Sequence, residues 1–120
     1  MERYLLGIDI GTSACKVIAV DSHGHVVAKA LAGYPIVSLQ PGWAEQDPED
    51  WWQATLKAVR EVLAMLPDRR AVGGIGLSGQ MHGLTALDDH DRVIRPAILW
   101  CDQRAAPQCD EITARAGGLE

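Results

Sequence analysis

The sequence has few cysteines, no clusters of basic residues and no long apolar runs. Its three cysteines are odd in number and lack the spacing of a metal or redox site, so we expect reduced thiols in the cytoplasm. The eleven Lys and Arg residues nowhere form more than a pair and the net charge is −5, so nucleic acid is not expected as a partner. The apolar run that begins at Leu5 is too short for a signal peptide and is interrupted by Asp9, so no membrane segment is expected.

The apolar pattern predicts a fold of class α/β. Hydrophobic residues make up 48% and charged residues 22% of the 120 residues, as in globular proteins with one compact core. Two helices are predicted, at residues 48–66 and 107–116, the first with Asp47 as its cap. Short turns make the first three predicted strands antiparallel neighbours. Strands are predicted at residues 4–10, 15–20, 26–31, 71–79, 83–87 and 93–100.

The turn between the first two strands carries residues suited to phosphate chemistry. Its glycine lets an anion approach the main chain, Thr12 and Ser13 offer hydroxyl donors, and Lys16 adds a cation. Asp9 would repel a bare phosphate but would hold a hydrated magnesium ion that bridges phosphate oxygens. The stretch therefore predicts a phosphoryl-transfer site. The alternative is a solvated hairpin turn, in which all of these residue types are common.

A second group of candidates follows the predicted strand at residues 71–79. His82 lies in the loop QMHG, where binding residues tend to occur, and the alternative is a core histidine. Trp100 ends a predicted strand and could stack on the C–H face of a sugar or pack in the core. Asp102 could bind sugar hydroxyls or cap the second helix.

Two other patterns are interpreted as structural. GIGLSG, at residues 74–79, matches the dinucleotide-binding glycine pattern, but strand-like residues and a glycine follow where that site requires a helix. Its glycines are better explained by close packing and by the approach of a small polar ligand. His23, His25 and His90 are expected in solvated turns, without metal-ligand spacing.

The stretch GIDIGTSACKVIAVD, from Gly7, resembles the first phosphate loop of the actin-like ATPase superfamily. Four more stretches, over nearly the whole chain, narrow the resemblance to the FGGY carbohydrate kinases: GWAEQDPEDWW, GLSGQMHG, DDHDRVIRPAILW and WCDQR. The resemblance implies a ribonuclease-H-like N-terminal domain of the actin-like ATPase fold, incomplete in this chain. Residues 1–120 would be the first part of that domain, and its remainder and a second domain would lie beyond them.

The resemblance also implies ATP-dependent phosphorylation of a sugar such as the ketopentose D-xylulose, with Mg²⁺. Asp9 would be catalytic by organising Mg²⁺, through water. The ATP phosphates would be bound by Gly11, Thr12, Ser13 and Lys16. The sugar would be bound by Gln80, Met81, His82, Trp100 and Asp102. The family's general base is an aspartate that would lie beyond residue 120, so residues 1–120 alone are expected to be inactive.

Two alternatives remain open at the level of the sequence. The sugar or polyol could be another one, for instance gluconate or glycerol. The 120 residues could instead form a non-catalytic module that binds a nucleotide or a sugar. A homodimer is one assembly expected of a full-length protein.

Overall fold

The computed structural model describes residues 2–118, which form two compact units. The first unit comprises residues 2–35 and 47–81, and the second comprises residues 36–46 and 82–118. In chain order the elements are β1 (Tyr4–Ile10), β2 (Ala14–Val20), β3 (Val26–Gly33), β4 (Glu45–Gln46), α1 (Pro48–Met65), a short 3-10 helix (Arg69–Ala71), β5 (Val72–Gly79), β6 (Ala97–Ile98) and α2 (Ala106–Ala116).

The first unit is built on a four-stranded sheet in the order β3-β2-β1-β5. The first three strands are antiparallel neighbours, as predicted, because their connecting turns are too short for a crossover. β5 pairs with β1 in parallel after the chain has passed through α1. The carboxyl ends of β1 and β5 therefore lie side by side at one edge of the sheet, where open α/β sheets usually bind ligands.

One face of this sheet packs against α1. Leu6, Ile8 and Val17 point to that face, and the small side chains of Ala58 and Val62 on the helix are fully buried. Asp47 caps the helix by accepting a hydrogen bond from the N–H of Glu49 at 2.9 Å, which confirms the predicted start. Cys15 is completely buried in this core, where it packs as a small hydrophobic residue. Leu5, Leu31, Ile75 and Leu77 remain exposed on the sheet.

The second unit has little apolar core. β4 and β6 pair as a two-residue antiparallel ladder, and Leu84 bridges to Ile98. The buried hydrophobic residues of this unit, within the described part of the chain, are Ala44, Ala97 and Leu99. Polar interactions must therefore contribute much of its stability.

Two sequence predictions for this unit differ in outcome. The continuous strands predicted at residues 83–87 and 93–100 are wrong, because only β6 and isolated bridges form there. Pro96, which has no N–H to donate, lies directly before β6 and limits the ladder. The second helix is confirmed, and it ends at Gly117, whose φ of 87° lies in the left-handed region. Neither α-helix in residues 2–118 is long and apolar enough to cross a membrane.

Candidate functional site

The predicted phosphate loop, residues 11–13, is a tight turn between β1 and β2. It is closed by a hydrogen bond of 3.0 Å from the N–H of Gly11 to the carbonyl oxygen of Ala14. A Cβ atom on Gly11 would lie 3.2 Å from that same oxygen. The turn therefore needs glycine at this position in order to close so tightly.

Tyr34, which was not among the residues predicted from the sequence, holds this loop through two hydrogen bonds. Its backbone N–H donates to the carbonyl of Ser13 at 3.2 Å, and its hydroxyl donates to the carbonyl of Gly11. Burial, with smaller contributions from Cys15 and Asp9, raises the pKa of Tyr34 to about 12. The hydroxyl therefore keeps its proton at neutral pH and remains a donor.

Asp9 and Lys16 are directly opposite each other in the register of β1 and β2. Opposed residues of neighbouring strands point to the same face, so a carboxylate and an ammonium group lie side by side next to the loop. Both side chains are exposed. The predicted residues Asp9, Gly11, Thr12, Ser13 and Lys16 are thus brought together at one end of the first unit.

The predicted sugar-binding residues Gln80 and Met81 follow β5 at the same edge of that sheet. The N–H of Gln80 donates to the carbonyl of Ile10 at 2.8 Å, which continues the pairing of the two parallel strands. A Cβ atom on Gly79 would lie 3.0 Å from this carbonyl oxygen, so a side chain there would force the two strands slightly apart. Residues 74–79 all lie within β5, which supports the interpretation of GIGLSG as a packing motif rather than a dinucleotide site.

His82 and Trp100 belong to the second unit and are exposed. Within residues 2–118 His82 is therefore not buried in a core, and its role in sugar binding stays a prediction. His82 has a φ of 64°, a left-handed conformation that is uncommon outside glycine and recurs at ligand sites. A Cβ atom on Gly83 would lie 3.3 Å from the carbonyl oxygen of Ile98, so the loop runs closely along β6. Trp100, 57% exposed, is not packed in a core.

Asp102 does not have the structural role that was considered for it as an alternative to sugar binding. It does not cap α2, whose first turn has Ala105 at the capping position and no side-chain cap. Its carboxylate accepts hydrogen bonds from the N–H of Ala44 at 2.6 Å and from Nη2 of Arg104 at 2.7 Å. These bonds, with that from Arg104 largest, hold the pKa of Asp102 well below its usual range. Sugar binding by Asp102 stays a prediction.

Asp102 is one member of a group that we call the Arg104 cluster, consisting of Trp43, Glu45, Arg95, Asp102 and Arg104. Nη1 of Arg104 lies 2.9 Å from the Glu45 carboxylate, which also pairs with Arg95. The Arg104 guanidinium lies over the ring of Trp43, 3.7 Å from its centroid. The carboxylates of Glu45 and Asp102 are only 7% and 2% exposed. Neither Glu45 nor Arg104 was among the candidate residues predicted from the sequence.

Asp9, next to the phosphate loop, offers a ligand that fits Mg²⁺. This ion keeps several waters and is bound through one or two carboxylates together with substrate phosphates, and Asp9 supplies one exposed carboxylate. Within residues 2–118, the one group of three metal-type ligands is Asp88, Asp89 and His90, in an exposed turn. Asp88 already accepts hydrogen bonds from Arg92 there, so this turn is not interpreted as a metal site.

Comparison with known proteins decides the family. The sequence model for the N-terminal domain of the FGGY family of carbohydrate kinases matches residues 4–119. This chain belongs to the FGGY family of carbohydrate kinases. The FGGY chain is 44% identical to the xylulose kinase of Bacillus subtilis over 96% of its length, and 46% identical to that of Escherichia coli over 92%. It is 34% identical to the gluconokinase of Bacillus subtilis over its whole length.

Solved structures of FGGY kinases share the fold. A xyloylose kinase from Brucella ovis superposes with a TM-score of 0.87 at 41% identity, over 98% of this chain and 24% of that one. A gluconate kinase from Lactobacillus acidophilus gives 0.90 at 29% identity, over 96% of this chain and 23% of that one. These matches confirm the predicted fold class, the N-terminal part of the actin-like ATPase fold. The chain spans 23% of the length of the Bacillus subtilis xylulose kinase and 22% of that from Escherichia coli.

Proposed function

We propose that the protein containing these residues is an ATP-dependent kinase of D-xylulose. The observation that carries the proposal is the sequence identity, which is 44% to the xylulose kinase of Bacillus subtilis but 34% to the gluconokinase of the same organism. The phosphate loop at the carboxyl ends of β1 and β5 supports a kinase reaction, because it combines a tight glycine turn with hydroxyl, ammonium and carboxylate groups.

The reaction balances as a single phosphoryl transfer. A sugar hydroxyl oxygen forms a bond to the γ-phosphorus of ATP, and the bond from that phosphorus to the β–γ bridging oxygen breaks. ADP leaves, and the hydroxyl proton passes to a general base. The product is D-xylulose 5-phosphate. In such transfers the protein acts mainly by positioning the reactants and by electrostatic stabilisation.

The residues of the phosphate loop would supply this stabilisation. The hydroxyls of Thr12 and Ser13 would donate to phosphate oxygens, and the ammonium of Lys16 would offset their negative charge. Gly11 would allow the phosphates to approach the main chain. Asp9 would hold Mg²⁺ through water, and the ion would neutralise charge on the transferred group.

The sugar would be bound by the residues that the family resemblance implies. Gln80 and Met81 follow β5, and His82 and Trp100 are exposed. The imidazole of His82 would hydrogen-bond a sugar hydroxyl, and the indole of Trp100 would stack on a C–H face. Asp102 would contact the sugar only if its carboxylate, nearly buried in the Arg104 cluster, became accessible there.

The test is to incubate the complete gene product that carries these residues with Mg-ATP and, separately, D-xylulose, D-gluconate or glycerol. Product identification by mass spectrometry should show phosphorylation of D-xylulose with the highest kcat/KM. Asp9→Asn should lower kcat by about a hundredfold or more while sugar affinity stays within about twofold. Asp89→Asn, which changes an exposed aspartate in a turn of the second unit, is the matched control and should be active.

Gluconate is the second candidate substrate, because the gluconate kinase structure superposes with a TM-score of 0.90. Preferential phosphorylation of gluconate would replace D-xylulose in the proposal. Binding of Mg-ATP without phosphorylation of any of the three compounds would favour a non-catalytic module. Full activity of Asp9→Asn would exclude the metal role of Asp9.

A further inference from the structure

An anion-binding turn has to keep its carbonyl oxygens away from the anion. Every peptide unit carries both an N–H donor and a carbonyl acceptor, and a carbonyl directed at a phosphate repels it. In the loop of residues 11–13, the carbonyls of Gly11 and Ser13, two positions apart, both accept hydrogen bonds from the same buried residue, Tyr34. These two acceptors are therefore occupied on the buried side of the loop.

The position of Tyr34 is fixed by the sheet. The ladder of β2 and β3 runs to the pair Ala14 and Gly33, and Tyr34 is the next residue after it. Its ring belongs to the core that packs under α1 and is 8% exposed. A side chain locked by packing in the core directly after a strand can hold a neighbouring loop more precisely than an exposed loop residue can.

We propose that Tyr34 is a positioning residue for the phosphate loop, which holds the carbonyls of Gly11 and Ser13 away from the bound nucleotide phosphates. The proposal rests on the proposed function, because the anion is taken to be the phosphate chain of ATP. Tyr34 itself would not touch the nucleotide. Its hydroxyl would contribute to ATP affinity through the loop and would leave the sugar site unaffected.

The chain contains a matched control for this role. Tyr4, the other of its two tyrosines, is 5% exposed at the opposite end of β1, and its hydroxyl donates to Glu2 at 3.2 Å. Tyr4→Phe and Tyr34→Phe each remove one hydroxyl from a buried ring of the same core. A general effect on core stability would appear in both variants, whereas an effect on the loop would appear only in Tyr34→Phe.

The first measurement is calorimetric titration of the complete gene product with Mg-ATP and with D-xylulose. Tyr34→Phe should raise the Kd for ATP about fivefold, the loss expected for one buried hydrogen bond, with the Kd for D-xylulose within about twofold of wild type. Tyr4→Phe should leave both constants within about twofold. An unchanged Kd for ATP in Tyr34→Phe, or an equal rise in Tyr4→Phe, would overturn the proposal.

The second measurement reads the loop without depending on kinase activity. Hydrogen–deuterium exchange at the amide of Gly11, which closes the turn, should be faster in Tyr34→Phe than in wild type and unchanged in Tyr4→Phe. If the wild-type protein binds no nucleotide, the proposed function is wrong. Equal exchange at the Gly11 amide in wild type, Tyr4→Phe and Tyr34→Phe would show, independently of nucleotide binding, that Tyr34 does not hold the loop. Should Tyr34→Phe fail to fold, wild type decides: the Tyr34 amide should exchange more slowly with Mg-ADP bound, and unchanged exchange would overturn the proposal.

Discussion

Replacing Arg104 by alanine should open the second unit of the protein. The guanidinium of Arg104 bonds the carboxylates of Asp102 and Glu45 and covers one face of Trp43. Glu45 keeps Arg95 as a partner in the variant, but Asp102 loses every side-chain donor that the structure gives it. A nearly buried carboxylate is then left with backbone donors alone.

The size of the effect follows from the burial of the two carboxylates. Removal of one partner from a buried ion pair is strongly destabilising, because the remaining charge stays out of water without compensation. The buried apolar residues of the second unit are only Ala44, Ala97 and Leu99 within residues 2–118, so little else resists opening. We expect local opening to become more favourable by on the order of a hundredfold or more.

Hydrogen–deuterium exchange of the complete gene product measures this opening directly. The amide of Leu99 donates to Ala44 at 3.0 Å, and that of Gln103 donates to Gly42 at 2.7 Å. Both should exchange faster in Arg104→Ala by about the predicted factor. Arg70→Ala is the matched control, because Arg70 bonds Asp68 in the same Asp-x-Arg arrangement but is 87% exposed. Surface pairs contribute little, so exchange in this control should stay within about threefold.

The outcome that would refute this reasoning is equal exchange at Leu99 and Gln103 in Arg104→Ala and in Arg70→Ala. A second variant tests the cause. If an uncompensated charge on Asp102 drives the opening, Asp102→Asn in the Arg104→Ala background should restore part of the protection, because the double variant has no buried charge there. If exchange in the double variant were faster than in Arg104→Ala alone, the lost contact with Trp43, and not the charge on Asp102, would be the cause of the opening.

The remaining predictions concern His82 and the acid limit of stability. His82→Ala should raise the KM for D-xylulose by about tenfold, because a hydrogen bond to the bound substrate is lost. The KM for ATP should stay within about twofold of wild type. An unchanged KM for D-xylulose would exclude His82 from the sugar site. The lowered pKa of Asp102 means that its stabilising contribution is complete above the pKa of an unfolded aspartate, about 4, and is lost as pH falls below that value. Acid titration of amide exchange in the second unit should therefore show protection falling below about pH 4, and a weaker fall in Asp102→Asn; identical profiles would contradict the assignment.

Several features of the fold could be predicted from local sequence because the determining interactions are local. The apolar runs on both sides of Gly11 and the three-residue turn make β1 and β2 a hairpin, and Asp47 with Pro48 starts α1. The candidate phosphate site could be predicted for the same reason, since Asp9, the loop at residues 11–13 and Lys16 lie within eight consecutive residues. The two strands predicted at residues 83–87 and 93–100 were wrong, because local apolar content alone does not decide whether neighbouring segments pair continuously.

What the tertiary structure alone decided is which distant residues hold these local elements in place. Tyr34 bonds a carbonyl 23 positions away, Asp102 accepts from an N–H 58 positions away, and Arg95 reaches a carboxylate 50 positions away. A local pattern of apolar and polar residues specifies helices, strands and turns, because these depend on neighbours a few positions apart. Contacts at long sequence separation depend on the path of the whole chain. In the sequence, Tyr34 and Arg104 therefore resemble ordinary loop residues, and only the folded structure shows that they contact Gly11 and Glu45.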